Sequence, residues 1–547
     1  MDLANRICKR LGELRAERSK YESHWTECFK YGAPERQHCF SGDFDTDANN
    51  QKQRADLLDS TAADAVTQFV SNIISGTTPA NAIWFNALPD GVDDPSVLTE
   101  GEQWLDFVCQ FIWRNIHGAN YDSVSSDLIT DFICAGWAVL YNDVDRQKGG
   151  GYSFQNWPIN ECFLATTRSD GRVDTIYREY TKTAAQLVSE FGEHKVSEAV
   201  KSASAVNPDM RFKIIHVIEP RNITQHIDGR ILAPKQMPFA SYHVEVSSKT
   251  ILKESGYNEF PCAVPLDRRI PGSIYAVGQM SIALADAKTA NSLMRDTLRS
   301  AEIDVLGMWL VADDGIINPN TVKIGGGKII AANSIDESMK RLDSGNGFQV
   351  AIALLQNLQS SIQRKLMADQ LPPYGQPMTA AETYMRIDIV RQKIGPMYGR
   401  LQAGLLIPLL DRCFALAYRA GVLGEAPEEL QGRNMSFKFI SPLARAQQLE
   451  DVAAIERFMG SLAPIAELEP SAMDNVDIDA IPQVLGQRLG VPTSILRTQE
   501  SLEAYRNKKA EAQQQAQAQE QQAVMAQQLG GAVSKGIENQ LTSEVMQ

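Results

Sequence analysis

QMSIALADAKTANSLMRDTLRSAEI (Gln279–Ile303) holds no glycine or proline and is rich in good helix formers, which predicts one unbroken helix. At 1.5 Å per residue it would extend about 36 Å. Met280, Ala283, Leu284, Ala287, Leu293, Met294 and Leu298 give an apolar face, and Asp286, Lys288, Arg295, Asp296 and Arg299 give the others. FQVAIALLQNLQSSIQRKLMADQ (Phe348–Gln370) repeats the pattern, with Val350, Leu354, Leu358, Ile362 and Leu366 on one side and Arg364, Lys365 and Asp369 near its end. Between the two, IDVLGMWLVADD, DDGIINPN and VKIGGGKIIAA carry strand and turn signals. After them come LPPYGQPMT (Leu371–Thr379) and a helical run from Ala380 that Pro396 and Pro408 should kink or divide. Helix, small β insert, helix, loop and broken helix, over residues 272–420, form the frame for the rest.

Two such helices could close as an ordinary hairpin or pack on copies of themselves. IGGGK lacks the spacing of a phosphate loop, and Ile329 follows Lys328 where a hydroxyl residue would hold Mg²⁺, so nucleotide binding is rejected. Gly325–Gly327 reads instead as a tight turn. LPPYGQPMTAA has no charged residue; its three prolines restrict the backbone and Gly375 allows a bend. A neutral loop of this kind could press on duplex DNA without ion pairs that stall sliding, or could simply connect two helices.

Outward from this frame, the N-terminal 40 residues predict an amphipathic helix, with Ile7, Leu11, Leu14, Tyr21, Trp25 and Phe29 at helical spacing and Gly32 and Pro34 as the stop. It reads either as an outer helix touching a shell or neighbouring subunits, or as an ordinary surface helix. Residues 41–53 read as a loop and residues 54–76 as a helix with Leu57, Leu58, Ala62, Ala65, Val66, Phe69 and Ile73 in a stripe. An extended segment starts at Trp84-Phe85 and ends at Pro89-Asp90-Gly91, and residues 99–141 predict two apolar-rich helices. From Gly149 to Pro265 alternating aromatic and β-branched residues predict strands, interrupted by one helix after Thr183 that stops at Gly192. Residues 1–272 thus read as an α+β domain.

A chain of 547 residues exceeds one core and suggests two to four domains. Its 44% hydrophobic and 22% charged residues are ordinary for a folded protein. There is no run of eighteen apolar residues and no apolar signal-peptide core, so the expectation is a protein made in the cytosol, with no membrane partner. The eight cysteines are scattered, without a C-x-x-C pair, and read as reduced thiols rather than a disulfide or zinc framework. A net charge of −14 argues against a wrap-around DNA binder, although an acidic wall suits DNA that must slide past without sticking.

Toward the C-terminus, NMSFKFISPLARAQQLE reads as a strand leading into helices. Asp474, Asp477 and Asp479 fail the EF-hand template, lacking its glycine and terminal Glu, and read as an acidic helix start. The Ala/Gln-rich tract 502–547 has little apolar surface to bury and alone should be frayed or disordered. No nucleophile elbow, H-E-x-x-H, Walker or dinucleotide motif stands up, and the seven histidines are scattered. No catalytic residue, metal site or cofactor is therefore assigned, and a hydrolytic enzyme is kept only as a remote alternative.

LLDSTAADAV…GTTPANAIWF (57–85), FPCAVPLDRRIPGSIYAVGQ (260–279) and TAAETYMRIDIVRQKIGPMYGRLQ (379–402) resemble, in that order, the head-to-tail connecting (portal) proteins of short-tailed phages. The resemblance covers most of residues 3–502. It implies an α+β portal-like fold: a wing over 1–272, stem helices at 273–303 and 348–370, a β-containing clip at 304–347, a tunnel loop at 371–381, a wing helix at 382–432, a crown at 433–501 and a barrel helix or tail at 502–547. It implies a ring, dodecameric in the family, at one capsid vertex of the virion, through which double-stranded DNA passes non-specifically during packaging and ejection. Implied partners are copies of itself, the major capsid protein, a scaffold protein, a terminase, a tail adaptor and internal core or ejection proteins. Arg364, Lys365, Tyr374, Gln376 and Met378 are the hypothesised DNA-channel residues, and Lys323, Lys328, Asp313 and Asp314 the hypothesised docking residues of the clip. A neck or tail adaptor ring, which would lack the Pro-rich loop between long helices, remains the structural alternative.

Overall fold

The computed structural model describes residues 3–36, 57–89, 100–145, 149–221, 235–306, 308–311, 339–342, 347–368, 395–427, 430 and 435–439, with short pieces between 452 and 509. The 41–53 segment, most of the insert between the two central helices, the 371–381 loop, Asp474, Asp477, Asp479 and the tract beyond 509 lie outside the described residues. The chain forms two compact units, Met1–Trp84 with Ile112–Val422, and Phe85–Phe111 with Leu423–Gln547.

In the first unit the β-rich stretch makes one antiparallel five-stranded sheet in the order β4-β5-β6-β7-β8 (Cys162–Ala165, Thr175–Thr183, Arg211–Pro220, Phe239–Glu245 and Ile251–Tyr257). Period-two alternation sends Phe163, Tyr177, Ile215, Val217, Tyr242 and Val244 to one face. There they meet Ile7, Leu11 and Leu14 of α1 (Leu3–Gly32). The opposite face carries Phe212 and Ile214 under Leu187, Phe191 and Val200 of α5 (Ala184–Phe191) and α6 (Glu198–Val206). Thr183 and Gln186 close a capping box at the start of α5, and Gly192 at φ +85° ends it. The sequence reading had no α6; its apolar contribution is small, with only Val200 and Ala203 buried.

The N-terminal helix spends its apolar stripe inside its own chain, as an ordinary amphipathic helix does, with Ile7, Trp25, Cys28 and Phe29 all essentially buried. After leaving the sheet, α1 runs beside α2 (Thr61–Thr77), α4 (Tyr121–Ala135) and α7 (Met280–Leu306). Trp25, Trp137 and Tyr275 form a triangle of rings with centroids 5.3–5.5 Å apart, and the Tyr275 hydroxyl accepts the backbone N–H of Leu164 at the sheet edge. At this hub two glycines cross. Gly136, left-handed at φ +88°, lies so close to Gly278 that a Cβ on Gly136 would stand 2.4 Å from the Val277 carbonyl carbon. A Cβ on Gly278 would stand 2.2 Å from the Ile133 oxygen. FPCAVPLDRRIPGSIYAVGQ folds back on itself here through β9 (Cys262–Ala263), β10 (Arg268–Arg269) and β11 (Ala276–Val277). β9 joins β2 (Leu140–Val144) and β3 (Tyr152–Asn156) in a second, three-stranded sheet.

From this root α7 runs 27 residues, about 40 Å at helical rise, and α8 (Gly347–Lys365) returns beside it. Strands β12 (Met308–Val311) and β13 (Met339–Leu342) pair antiparallel where the hairpin turns, which is the β segment expected between the helices. The last long helix, α9 (Gly395–Arg419), is not divided at Pro408. A π turn at Gln402–Leu406 moves the Ile407 N–H onto the Gln402 carbonyl, so the backbone accommodates a residue that cannot donate to position 404. α9 is long and apolar enough to cross a bilayer by composition. However, Leu401, Leu405, Leu409, Leu410 and Cys413 are buried in the protein, and Arg412 makes a 2.7 Å ion pair with Glu259.

In the second unit β1 (Phe85–Pro89) pairs antiparallel with β14 (Met435–Phe439), bringing Phe85 edge-on to Phe437. α3 (Glu100–Gly118) contributes its first half, and the Trp104 indole N–H donates to the Leu423 carbonyl at 3.0 Å. Both observations agree with the extended segment and the helix expected there.

Gly278→Ala tests the crossing at the root of α7. The methyl meets backbone, which cannot rotate away, so the expected loss is about 3 kcal/mol in unfolding free energy measured by denaturant titration. Gly12→Ala, with open space around its Cβ direction, should be neutral or slightly stabilising in the same assay.

Candidate functional site

The feature that stands apart from an ordinary domain is the α7–α8 hairpin, whose described residues combine a clamped, buried face with exposed apolar side chains. Met280, Ala283, Leu284, Ala287 and Ala290 of α7, Leu355 and Ile362 of α8, and Leu366 just after it are buried. Other apolar side chains of the pair are exposed: Leu298 at 52%, Val350 at 69%, and Leu354, beside buried Leu355, at 49%. The apolar faces read from the sequence are therefore only half covered by the chain's own packing.

Polar groups fasten the base. The Lys365 ammonium lies 2.6 Å from Asp286 Oδ2, which also accepts the Ser361 hydroxyl at 2.7 Å. Burial alone would raise the Asp286 carboxyl, but the hydrogen bonds from Lys365 and Ser361 and the ammonium charge hold it below its usual range. The Gln279 side-chain amide donates to the Lys365 carbonyl at 3.1 Å. One turn outward, buried Asn291 accepts the backbone N–H groups of Leu58 and Asp59, and Asp59 accepts the Gln359 side-chain amide at 2.8 Å. Asp59 also accepts the Thr61 N–H, so the start of α2 is tied to both arms. These residues went unnoticed in the sequence. The available signal was numerical: facing partners on antiparallel arms have residue numbers adding to nearly the same total.

α8 ends in a Schellman arrangement, with Met367 N–H donating to Arg364 O and Ala368 N–H to Gln363 O. Met367 takes the left-handed position at φ +53°, which usually falls to glycine. Arg364 and Lys365, paired in the sequence reading as phosphate contacts, separate here. Arg364 is exposed, and among the described residues its guanidinium donates to the Ser360 carbonyl of its own helix. Lys365 is half-buried and faces Asp286. Tyr374, Gln376 and Met378, and Lys323, Lys328, Asp313 and Asp314, lie outside the described residues.

A cavity of about 670 Å³ lies in the first unit between the β9 strand region and the π turn of α9, lined by Phe260, Val264, Gly404 and Pro408. Its charged walls are largely satisfied: Arg412 and Arg419 hold Glu259, and Arg400 holds Asp267 at 2.7 Å. Among the described residues no group of three or more His, Cys, Asp and Glu is placed to hold a metal. The described cysteines are free, and six of the seven are buried. Burial pushes the thiols of Cys28, Cys109, Cys162 and Cys413 up to about 12, which suits inert core residues.

Among the described residues the distinctive arrangement is a rooted, clamped helix pair that carries exposed apolar side chains. Residues 4–496 match the family of bacteriophage head to tail connecting proteins. A probable portal protein of Bordetella phage BPP-1 is 26% identical over 534 residues, covering 93% of this chain and 91% of that one. A portal protein of Salmonella phage epsilon15 is 25% identical over 573 residues, covering 97% and 94% respectively. The chain belongs to the bacteriophage head-to-tail connecting protein family. It is accordingly a structural component of the virion and not an enzyme.

The split between the two cations is testable by stability alone. Asp286→Asn should cost about 1 kcal/mol, since it weakens a partly shielded ion pair and its hydrogen bonds. Arg364→Gln should change unfolding by less than about 0.5 kcal/mol, as expected for an exposed surface side chain. Equal losses in the two variants would contradict the assignment.

Proposed function

We propose that this chain is the subunit of a ring-shaped homo-oligomer, dodecameric as in the family, at one vertex of the capsid. Its central channel passes double-stranded DNA inward on packaging and outward on ejection, and its faces receive capsid, scaffold, terminase, tail-adaptor and internal core proteins. The observation that carries this reading is the set of exposed apolar side chains on the described part of the α7–α8 hairpin. Val350, Leu354 and Leu298 sit on regular helix faces at 49–69% exposure, where a lone subunit would be expected to place polar residues. A cyclic arrangement of copies covers such faces without leaving an open end.

Within that ring the insert 304–347 serves as the docking clip, with Lys323, Lys328, Asp313 and Asp314 as its charged contacts. Leu371–Ala381 serves as the neutral tunnel loop, with Tyr374, Gln376 and Met378 facing the duplex. Arg364, exposed and without a carboxylate partner among the described residues, is assigned the phosphate contact. Lys365 is assigned to the clamp with Asp286. A net charge of −14 keeps the remaining wall repulsive to phosphates.

The assembly reading is tested by solution mass measurement and negative-stain imaging of the purified protein. The unmodified protein should give rings of roughly dodecameric mass with an open centre, an architecture that buries self-complementary surface. Val350→Asp with Leu354→Asp should give folded single subunits, because both side chains are exposed within one chain. A compact dimer without a channel would overturn the proposal.

The DNA contact is tested separately in packaged particles. Arg364→Gln should lower genome retention and reduce its dependence on salt, as removal of a phosphate contact requires. Retention unchanged across salt concentrations would remove Arg364 from the channel.

A further inference from the structure

Across the five-stranded sheet, one row of directly paired residues reads Arg178, His216, His243 and Lys253, one from each of β5, β6, β7 and β8. Four basic side chains in register on one face is an arrangement in which like charges directly opposite each other destabilise the ladder. The two imidazoles lie flat on each other, ring centroids 4.0 Å apart and planes 16° from parallel. Both are enclosed, at 6% and 9% exposure. The His216 ring is edge-on to Trp157, and the His243 ring packs on Phe191 of α5.

The polar surroundings offer an imidazolium little support. His216 Nε2 shares a hydrogen bond with the Ser241 hydroxyl at 3.0 Å, and His243 Nδ1 is buried without a partner. The charged groups facing the pair are Arg178 and Lys182 on β5 and Lys253 on β8. Two of these cations are paired with acids: Glu161 holds Arg178 at 2.8 Å, and Glu190 of α5 holds Lys182. Arg178 is also fixed between Trp157 and Tyr180, 4.8 Å from each ring, and so stays beside His216.

We propose that this row is an acid-triggered weak point built into the sheet: acid favours the separation of β6 from β7, because either imidazole takes up its proton once the two strands part. The opposite face of the same two strands carries Ile215, Val217, Tyr242 and Val244, against which α1 is seated. Opening β6–β7 therefore also loosens the N-terminal half of α1. The proposal concerns a single subunit and stands whether or not the chain forms a ring.

The direction of the linkage follows from burial. Loss of solvent, followed by the neighbouring cations, holds His243 down at about 3, and loss of solvent, followed by His243 and the same cations, holds His216 well below its ordinary value. In the unfolded chain both titrate near 6.5. Their contribution to stability is therefore complete above about pH 6.5 and is lost as pH falls below it, because only the unfolded chain takes up the protons. Each histidine should raise the unfolding equilibrium constant about tenfold per pH unit between roughly pH 6 and 4.

The test uses the full chain, unfolded by denaturant at pH 7.5, 6.0 and 5.0, beside His243→Leu. The unmodified protein should lose stability with acid more steeply than the variant, by about one proton, or tenfold in the equilibrium constant per pH unit. Amide exchange at pH 5.0 should rise first in residues 211–220 and 239–245. Exchange of the imidazole C2 hydrogens, followed by mass spectrometry in the unmodified protein, provides a readout independent of the variant's folding. His216 and His243 should remain neutral until the sheet opens. Ordinary titration of both near 6.5 in the folded protein, or equal acid slopes in the two proteins, overturns the proposal.

Discussion

The backbone crossing of Gly136 and Gly278 is the constraint on which the remaining architecture rests. No side chain fits between the end of α4 and the start of α7, so the two backbones meet directly and set the point from which the long helix projects. The triangle of Trp25, Trp137 and Tyr275 surrounds that point with large, rigid rings, and each ring comes from a different part of the chain. α1, the loop after α4 and the segment before α7 are thereby fixed together. A projecting helix pair about 40 Å long acts as a lever on its attachment, and contact at backbone distance gives that attachment little freedom to pivot.

The clamp above the root adds registration. Hydrophobic contact along two helices tolerates sliding by a turn, whereas Asp286 with Lys365 and Asp59 with Gln359 are satisfied at one alignment only. The buried carboxamide of Asn291 extends this specificity to α2, because it takes up two backbone N–H groups that would otherwise be left without partners. Sequence adjacency misleads at this place. Arg364 and Lys365 look like one basic dipeptide, yet a helix turns 100° between them, so one faces Asp286 and the other faces out.

Much of the first unit was legible because local rules and tertiary packing agree there. Alternation of Ile215, Val217, Tyr242 and Val244 marks the sheet, and Thr183 with Gly192 brackets α5 almost to the residue. α6 escaped because its two buried residues are too few to make a stripe. The continuity of α9 escaped because proline was weighed as a breaker, while the π turn at Gln402–Leu406 removes the conflict at the cost of one irregular turn. Polar contacts between distant segments, such as Asn291 with Leu58, have no local signature and become visible only when the fold brings them together. The family was legible from three separated motifs; the structure adds why two of them matter, since FPCAVPLDRRIPGSIYAVGQ holds the root and LLDSTAADAV begins the helix tied to the clamp.

The disagreement between periodicity and burial on α7 and α8 is itself informative. Leu298, Val350 and Leu354 fall on the stripes that helical spacing picks out, yet they are about half or more exposed. Periodicity reports which faces are apolar; it is silent on whether the covering surface belongs to the same chain. One face of the pair is covered by α1 and α2, and Met280, Ala283, Ala287 and Ile362 are buried there. Leaving the exposed side chains in water forgoes about 1.5–3 kcal/mol each that burial would contribute. A sequence retaining apolar faces there favours association over isolation, and because the faces lie on a clamped, unpivoting pair, the geometry of that association is set largely by the root.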